Sequence, residues 1–516
     1  MRQTVAILGT PVDILDMPQT LARLEEFIEE GHFHQVATAN TDFLVNAIGD
    51  PELQHVLRNA DLVVADGMPL VWASRLMGSP LPERVTGADM VPRLASLAAQ
   101  KGYRIYMLGA RPDVAQRAKA QLEADYPGIQ IVGCVSPPAA SIIEMDAEAL
   151  LDDIQRAAPD ILLVAFGNPK QEKWIHMHRE RLRDVPVCIG VGGTFDFIAG
   201  EVARAPELVQ RTGCEWVHRL AHNPRYLWKR YGRDLTQGGR HLLRQWHMLS
   251  RQPSAGRFDM RMARAGNCVV LSLVGDFKRI SLPGFRTLAT EVLSAGADLL
   301  LDMQGIVSLD AEAIGTLITL RKHAADVGRA MRMVSVSPQI TKALRHSQIQ
   351  EGFISTAESV AQALTEQCTE GLYWRVQCGH DAAVVTVNGI SNQETTAHIE
   401  MICECLLEEG KQVDMDVRGI SYIDSNLLSV FYRLQARYKK GNDTRFRLVA
   451  GRTLRSVLLK EKLQARFTLC EVPDVPQDAK EMPSFMPVPR KLQRVAAGSE
   501  ITSLEASRSF AIVSAS

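Results

Sequence analysis

The sequence contains no apolar run close to the roughly 20 residues needed to cross a bilayer. It also has no basic stretch followed by an apolar core near residue 1, so no signal peptide is expected. Nine cysteines are present, without a Cys-x-x-Cys pair or a metal-binding spacing. That excludes a zinc ribbon and fits free thiols in a reducing compartment. Cys403 and Cys405 share an expected helix, point different ways and read as structural. Neither sign of charge is in excess: 58 Lys and Arg stand against 59 Asp and Glu. The whole chain therefore gives no electrostatic argument for a nucleic-acid partner. Gly9 follows the first apolar run without a G-x-G-x-x-G continuation, which argues against a nicotinamide-dependent dehydrogenase. Asp414-Met-Asp416 is the one Asp-x-Asp; it falls on an expected strand far down the chain and reads as structural.

What is present is an ordinary globular composition, 46% apolar and 23% charged, over 516 residues. That length calls for about three domains. Residues 1–249 alternate short apolar runs with amphipathic segments. Val5–Leu8, Gln35–Thr38, Leu62–Ala65, Arg104–Leu108, Gln130–Val132, Ile161–Phe166 and Val187–Val191 are predicted strands. Pro112–Tyr126 is a predicted helix of the kind that joins them. Such alternation predicts an α/β fold, a Rossmann-like and mainly parallel sheet. Chemistry is then expected on the loops at the carboxyl ends of the strands.

Polar loops follow four of these runs: Thr38-Ala-Asn40, Asp66-Gly67-Met-Pro69, Gly167-Asn-Pro-Lys-Gln171-Glu172-Lys-Trp174 and Gly190-Val-Gly-Gly193-Thr-Phe-Asp196. Gly190, Gly192 and Gly193 allow backbone N–H groups to approach a phosphate or a flat base, or simply form a tight turn. Asp66 is either a turn former or a general base that takes a proton from a sugar hydroxyl. Gln171 either reads a uracil edge or a phosphate or is a polar residue opening a helix; Asp196 either pairs with a ribose or sugar hydroxyl or caps a helix.

Taken together these residues resemble the WecG/TagA/CpsF family, glycosyltransferase family 26. The stretches that carry the likeness are T-A-N (38–40), A-D-G-M-P (65–69), E-R-V-T-G-A-D (83–89), L-G-A (108–110), G-N-P-K-Q-E-K-W (167–174), V-G-G-T-F-D-F-I-A-G (191–200), R-A-P (204–206) and E-W-V-H-R-L (215–220). The resemblance covers about residues 1–245. It implies an inverting, metal-independent transfer from a UDP-sugar, without a cofactor, to an undecaprenyl-diphosphate-linked sugar in cell-surface polysaccharide synthesis. By position, Asp66 matches the proposed base and Thr38 and Asn40 match pocket residues. Arg84 matches a basic residue suited to diphosphate, and Gln171 and Asp196 match residues near the nucleotide. A leaving UDP without a metal must be neutralised by Arg, Lys and backbone dipoles. One departure is Ser136-Pro-Pro, where many relatives carry His-Gly-Tyr-like residues, so an N-acetylmannosamine donor is not assumed.

A basic stretch follows. Arg219, Arg225, Lys229, Arg230, Arg233, Arg240, Arg244 and Arg251 lie within residues 218–251, with Asp234 the only acid. Trp216, Leu220, Leu227, Tyr231 and Leu235 recur at steps of four or seven and mark an apolar stripe on a helix. This appendage, residues 215–249, reads either as a contact to anionic lipid and the lipid diphosphate, or as an Arg-rich helix packed on its own domain. The first reading gives a cytoplasmic protein held at the inner face of the plasma membrane. Within the appendage Arg219 matches a family arginine; Arg225 lies beside Tyr226, where an arginine is common.

Residues 250–262 read as a linker, and beyond it the chain repeats itself. Asp302, Gly305, Asp310, Val334, Ile349 and Phe353 recur, 114 positions on, as Asp416, Gly419, Asp424, Leu448, Leu463 and Phe467. Each copy is predicted as strand, strand, helix, strand, helix, over residues 263–366 and 372–477. The copies resemble STAS domains, small α/β modules whose Asp-Ser motif opens a helix at a partner-binding surface. The first has Asp310-Ala311 there and cannot be phosphorylated; the second keeps Asp424-Ser425. Ser425 is a candidate phosphosite or a helix cap, and docking of an unidentified protein partner is the simpler role. Residues 478–516 are rich in Pro, Ser and Ala and are expected to be a disordered tail. The sequence thus predicts a transferase joined to two regulatory modules. The other reading is a scaffold with a non-catalytic sugar-nucleotide domain, but Thr38, Asp66, Gln171 and Asp196 are all intact.

Overall fold

The computed structural model describes residues 1–138, 140–145, 147–202, 228, 231–349, 360, 372–391, 393–440, 443–471 and 480–481. The chain divides into two compact units, residues 1–369 and 370–516.

The first unit opens with β1 (Thr4–Ile7) and β2 (Thr10–Asp13), an antiparallel hairpin. There follow α1 (Met17–Glu30), β3 (His34–Ala39), α2 (Thr41–Ile48), α3 (Pro51–Asn59), β4 (Leu62–Ala65), α4 (Met68–Leu76), α5 (Gly87–Lys101), β5 (Arg104–Gly109), α6 (Pro112–Asp125), β6 (Gln130–Val135), α7 (Glu148–Ala157), β7 (Ile161–Ala165), α8 (Lys170–Met177), β8 (Val187–Gly190) and α9 (Thr194–Ile198). Strands β3 to β8 form one parallel sheet in the order β4-β3-β8-β7-β5-β6. Every residue of β3, β7 and β8 is buried, because helices cover both faces of the sheet. The period of two sorts the side chains: Leu163 and Ile189 enter one core, Leu162, Val164 and Cys188 the other.

The helix boundaries follow from local chemistry. Asp16 and Gln19 form a reciprocal capping box at the start of α1, and Gly31 closes it with φ 70°. Asp50 caps α3 ahead of Pro51.

The first predicted strand does not join the sheet. Leu8 and Gly9 both have positive φ (49° and 79°), so the chain reverses at once and residues 4–7 pair with 10–13. This is the two-residue turn whose twist suits a hairpin.

After a π-helical turn at Asp234–Gly238 comes α10 (Gly239–Ser250). The next domain comprises β9 (Phe258–Ala265), β10 (Cys268–Phe277), α11 (Leu282–Ser294), β11 (Asp298–Leu309), α12 (Ala311–Asp326), β12 (Met331–Val334) and α13 (Pro338–His346). Its sheet order is β12-β11-β10-β9, with β9 antiparallel. Two sequence expectations change here. Residues 258–262, read as linker, belong to β9, and this repeat carries one more strand and one more helix than predicted.

The second unit has β13 (Leu372–Cys378), β14 (Ala382–Ile390), α14 (Gln393–Glu408), β15 (Gln412–Tyr422), α15 (Ser425–Arg437), short strands β16 (Lys439–Lys440) and β17 (Asp443–Thr444), then β18 (Phe446–Val449), α16 (Arg452–Lys460), β19 (Leu469–Cys470) and β20 (Lys480–Glu481). Its sheet contains β18-β15-β14-β13, the same order as the first repeat. The register repeats as well: Ser272 faces Asp302 and Thr386 faces Asp416, and both ladders break just beyond. Asp414 and Asp416 are structural, Asp414 paired with Arg447 and Asp416 with Arg418.

Within the first unit, the first repeat is packed on the amino-terminal domain. Ala6 of β1 belongs to the repeat's core, and Ala311 of α12 to the core around the hairpin. A Cβ on Gly315 would stand 2.6 Å from the Thr4 carbonyl oxygen, so this glycine sets the approach of α12 to β1. Arg58 and Gln54 donate to the Gln348 carbonyl at 2.6 and 3.1 Å. Lys322 pairs with Asp61 at 2.8 Å. On another side of the hairpin, buried Gln245 of α10 accepts from Leu8 N–H and donates to the Ala6 carbonyl.

Candidate functional site

Four adjacent strands, β4, β3, β8 and β7, end on one side of the sheet, and their loops enclose a cavity of about 760 Å³. Thr38 and Asn40 line it from β3, Asp66 from β4, Gly167, Asn168 and Gln171 from β7, and Gly192 from β8. It is the carboxyl-edge position where parallel α/β sheets bind ligands.

Main-chain ties fix the floor. The Asp66 N–H donates to Ala39 O at 2.7 Å, which holds the β4 loop beside β3. Thr38 Oγ1 donates to Gly190 O at 2.9 Å, joining β3 to β8. Asn40 caps α2 through its side-chain oxygen, which accepts from Phe43 N–H. Thr86 caps α5 and donates to Asp89 at 2.7 Å, and Thr86 and Ala88 complete the wall nearby.

A buried polar cluster lies behind the wall. Gln171 Oε1 accepts from the N–H groups of Gly167 and Gly192, both at 3.0 Å. Its Nε2 donates to Glu172 at 2.6 Å. Asn168 Nδ2 donates to the other Glu172 oxygen at 3.0 Å, and Asn46 donates to Asn168 at 2.9 Å. Burial pushes the Glu172 carboxyl up to about 7, against the opposing pull of Gln171 and Asn168. A Cβ at Gly190 would stand 2.5 Å from Gln171 Nε2 and 2.6 Å from Glu172 Oε1, so any larger residue would make this cluster shift. Lys173 is buried too, paired with Asp50 and Glu52 at 3.0 and 2.9 Å, which ties α8 to the start of α3.

With that geometry in place, relatives can be compared. A protein of Bacillus subtilis (strain 168) named N-acetylglucosaminyldiphosphoundecaprenol N-acetyl-beta-D-mannosaminyltransferase is 34% identical over 225 residues, 42% of this chain and 85% of the relative. The chain belongs to the WecG/TagA/CpsF glycosyltransferase family. Residues 5–252 match the description "Glycosyl transferase WecG/TagA/CpsF family", and residues 260–355 match "Mlab, STAS domain". Proteins of the same name from Bacillus spizizenii (35% identical; 37% of this chain, 71% of the relative) and Staphylococcus aureus strain MW2 (29%; 44% and 87%) are similar over the same domain.

In this glycosyltransferase the expected site residues separate into groups. Thr38, Asn40, Asp66, Gln171 and Gly192 come together on one cavity. Gly190, Arg84 and Asp196 are not among the described residues that line it. Gly190 lies beneath, holding Thr38. Arg84 is largely buried, 3.7 Å from Asp89. Asp196 is half-buried in α9, its carboxyl raised by burial and lowered in part by Arg111. Gln171, expected to read a base or a phosphate, is wholly buried, with its oxygen committed to two backbone N–H groups. It sets the spacing of the two glycine loops. Arg219 and Arg225 lie outside the described residues. Ser425 is 7% exposed at the first turn of α15, where Asp424 supplies the cap.

Sequence reading missed Arg233 as a site residue. It enters the cavity wall from the basic appendage and is ion-paired with Asp42. Its Nε is buried without a partner among the described residues. Asn46, Asn168 and Glu172 were also missed; only the G-N-P-K-Q-E-K-W run hinted at the last two.

Proposed function

We propose that this glycosyltransferase moves a sugar from a UDP-sugar to an undecaprenyl-diphosphate-linked sugar, with Asp66 as general base. The acceptor hydroxyl gives its proton to the Asp66 carboxylate as its oxygen attacks the sugar's anomeric carbon. The bond to UDP breaks from the opposite face, and the configuration inverts. Asp66 opening into the same cavity as Thr38, Asn40 and the Gly192 loop is the observation that supports this most. Arg233, with its unpartnered Nε, is placed to meet a diphosphate. The named activity of the Bacillus and Staphylococcus relatives supports the lipid-linked acceptor. The residues described here include no helix long and apolar enough to cross a membrane. Trp228 (69% exposed), Leu235 (77%) and Leu243 (58%) instead stand out of the appendage near exposed Arg240 and Arg244. That pairing suits a peripheral contact with anionic lipid. The second repeat acts as a further STAS domain, a reading supported by its shared topology and register with the first.

The test is a donor screen: purified protein, a prenyl-diphosphate N-acetylglucosamine acceptor, and UDP-linked glucose, N-acetylmannosamine and uronic acids in parallel. One donor should be turned over by wild type and not by Asp66→Asn. Equal turnover in the variant removes Asp66 as base, and no turnover with any donor removes the UDP-sugar reading.

A further inference from the structure

A second cluster sits at the other end of β3, roughly 20 Å from the cavity at about 3.3 Å per residue. Glu30 ends α1, His32 lies in the turn and His34 begins β3. Their ligand atoms all lie within 4.8 Å of one another. His34 Nε2 is 3.0 Å from Glu30 Oε2, and His32 Nε2 is 3.7 Å from the same oxygen. Each Nδ1 faces a main-chain carbonyl instead: that of Pro186 for His34 at 3.2 Å, and that of Glu30 for His32 at 3.3 Å. A carbonyl accepts only from N–H, so each Nδ1 carries hydrogen, and Nε2 is the nitrogen turned to Glu30, as a proton donor to it or, with that proton displaced, as a metal ligand. The second case is the arrangement that metal-binding histidines adopt, with a carbonyl orienting each ring from behind. His34 is buried and stacked on Phe27 with ring centres 3.9 Å apart, which fixes its plane. Glu30 Oε1 is oriented separately, 3.4 Å from Arg23.

We propose that Glu30, His32 and His34 form a binding site for a divalent transition-metal ion of the zinc class. Two imidazole nitrogens and one carboxylate oxygen are a ligand set that zinc accepts, with nitrogen and oxygen about 2.0–2.2 Å from the metal. Separations of 3.0 and 3.7 Å bracket what a tetrahedral centre needs between ligands. The three residues lie on the wall of a larger cavity, about 1130 Å³, that Lys322, His323 and Asp326 of α12 also line. A bound ion would clamp the end of α1 to the start of β3, on the side where the first repeat is docked. This site is separate from the proposed transfer site at the carboxyl edge.

The test uses the full chain, freed of metal by chelator, titrated with Zn²⁺ by calorimetry and with Co²⁺ by visible absorption. Glu30→Gln and His32→Ala change exposed side chains and should leave the fold intact. Wild type should take up one ion with the d–d absorption of a low-symmetry cobalt centre. Each variant should bind about tenfold or more weaker, no less than removal of an orienting partner costs, and lose that spectrum. No saturable uptake by wild type, or equal uptake by wild type and both variants, would overturn the site.

Discussion

Lys322 in α12 places its ammonium 2.8 Å from a carboxylate oxygen of Asp61, which lies just ahead of β4. The pair joins the first repeat to the transferase domain, together with the Arg58 and Gln54 hydrogen bonds to the Gln348 carbonyl. The helix that opens after Asp310, α12, is packed against the transferase domain. Ala311, in the position of the motif's hydroxyl residue, is buried in the transferase core.

The docking can be tested at Gly315. A methyl group there meets the Thr4 carbonyl at 2.6 Å, a main-chain atom that cannot turn aside. Gly315→Ala should destabilise the first unit by about 1–3 kcal/mol, the usual cost of overpacking. Urea denaturation of the full chain measures it; an unchanged midpoint would mean that α12 and β1 are not in close contact.

Asp66→Asn keeps the shape of the loop and removes the proton acceptor. Transfer should fall about 10²- to 10⁴-fold, the range of a lost general base, while UDP affinity stays within a factor of a few. Turnover kinetics and calorimetric titration with UDP read the two effects separately.

Arg233→Gln removes the cation that the appendage brings to the cavity. The loss of a charge-assisted contact to diphosphate is worth about 1.5–3 kcal/mol, or roughly a 10- to 150-fold fall in kcat/KM. By contrast, Trp228→Glu with Leu235→Glu should weaken binding to vesicles of anionic lipid and leave turnover of a short-chain, water-soluble acceptor unchanged. If both variants move both readouts alike, the pocket and lipid roles of the appendage are not separable.

Glu172 makes stability depend on pH in a definite sense. Its folded carboxyl titrates near 7, against an ordinary value of 4.5. Below about 4.5 it is protonated in folded and unfolded chains alike and contributes no penalty. As pH rises towards 7 the unfolded chain loses its proton first, so the folded state loses stability, and above about 7 the loss is complete. At about 1.4 kcal/mol per pH unit the penalty is about 3 kcal/mol. Glu172→Gln sets its NH2 against one of the two donors, a cost that does not vary with pH, and should lose the fall in stability that wild type shows between pH 4.5 and 8. Parallel urea midpoints across that range would show that Glu172 is not held protonated.

The strands of the main sheet were legible because burial on both faces leaves runs such as Ile161–Ala165 with no polar residue at all. The hairpin was not: Leu8 and Gly9 look like the end of a strand, and only their positive φ turns the chain back. The repeat was legible from positions such as Asp302, Gly305, Asp310 and Val334 recurring at one offset, since constant spacing needs no knowledge of packing. The cavity residues Thr38, Asn40 and Asp66 could be found because each lies at the carboxyl end of a strand or directly after it. Arg233 could not, since one arginine among many basic residues carries no mark of which faces the cavity. The role of Gln171 was also hidden, because whether a carboxamide meets a ligand or two loop N–H groups depends on how deeply α8 is buried. The Glu30, His32 and His34 group was passed over because its members straddle a helix end and a strand start, with no cysteine to suggest a metal.

The position of β1 and β2 bears on how the protein is made. The hairpin is synthesised well before the elements that cover it, Gln245 following after about 230 residues and the helix carrying Ala311 and Gly315 after about 300. During that interval Val5, Ile7 and their neighbours must wait with part of their apolar surface bare. The amino-terminal domain then reaches its final form only once the module behind it has folded, so a transferase released early would never acquire its finished back wall.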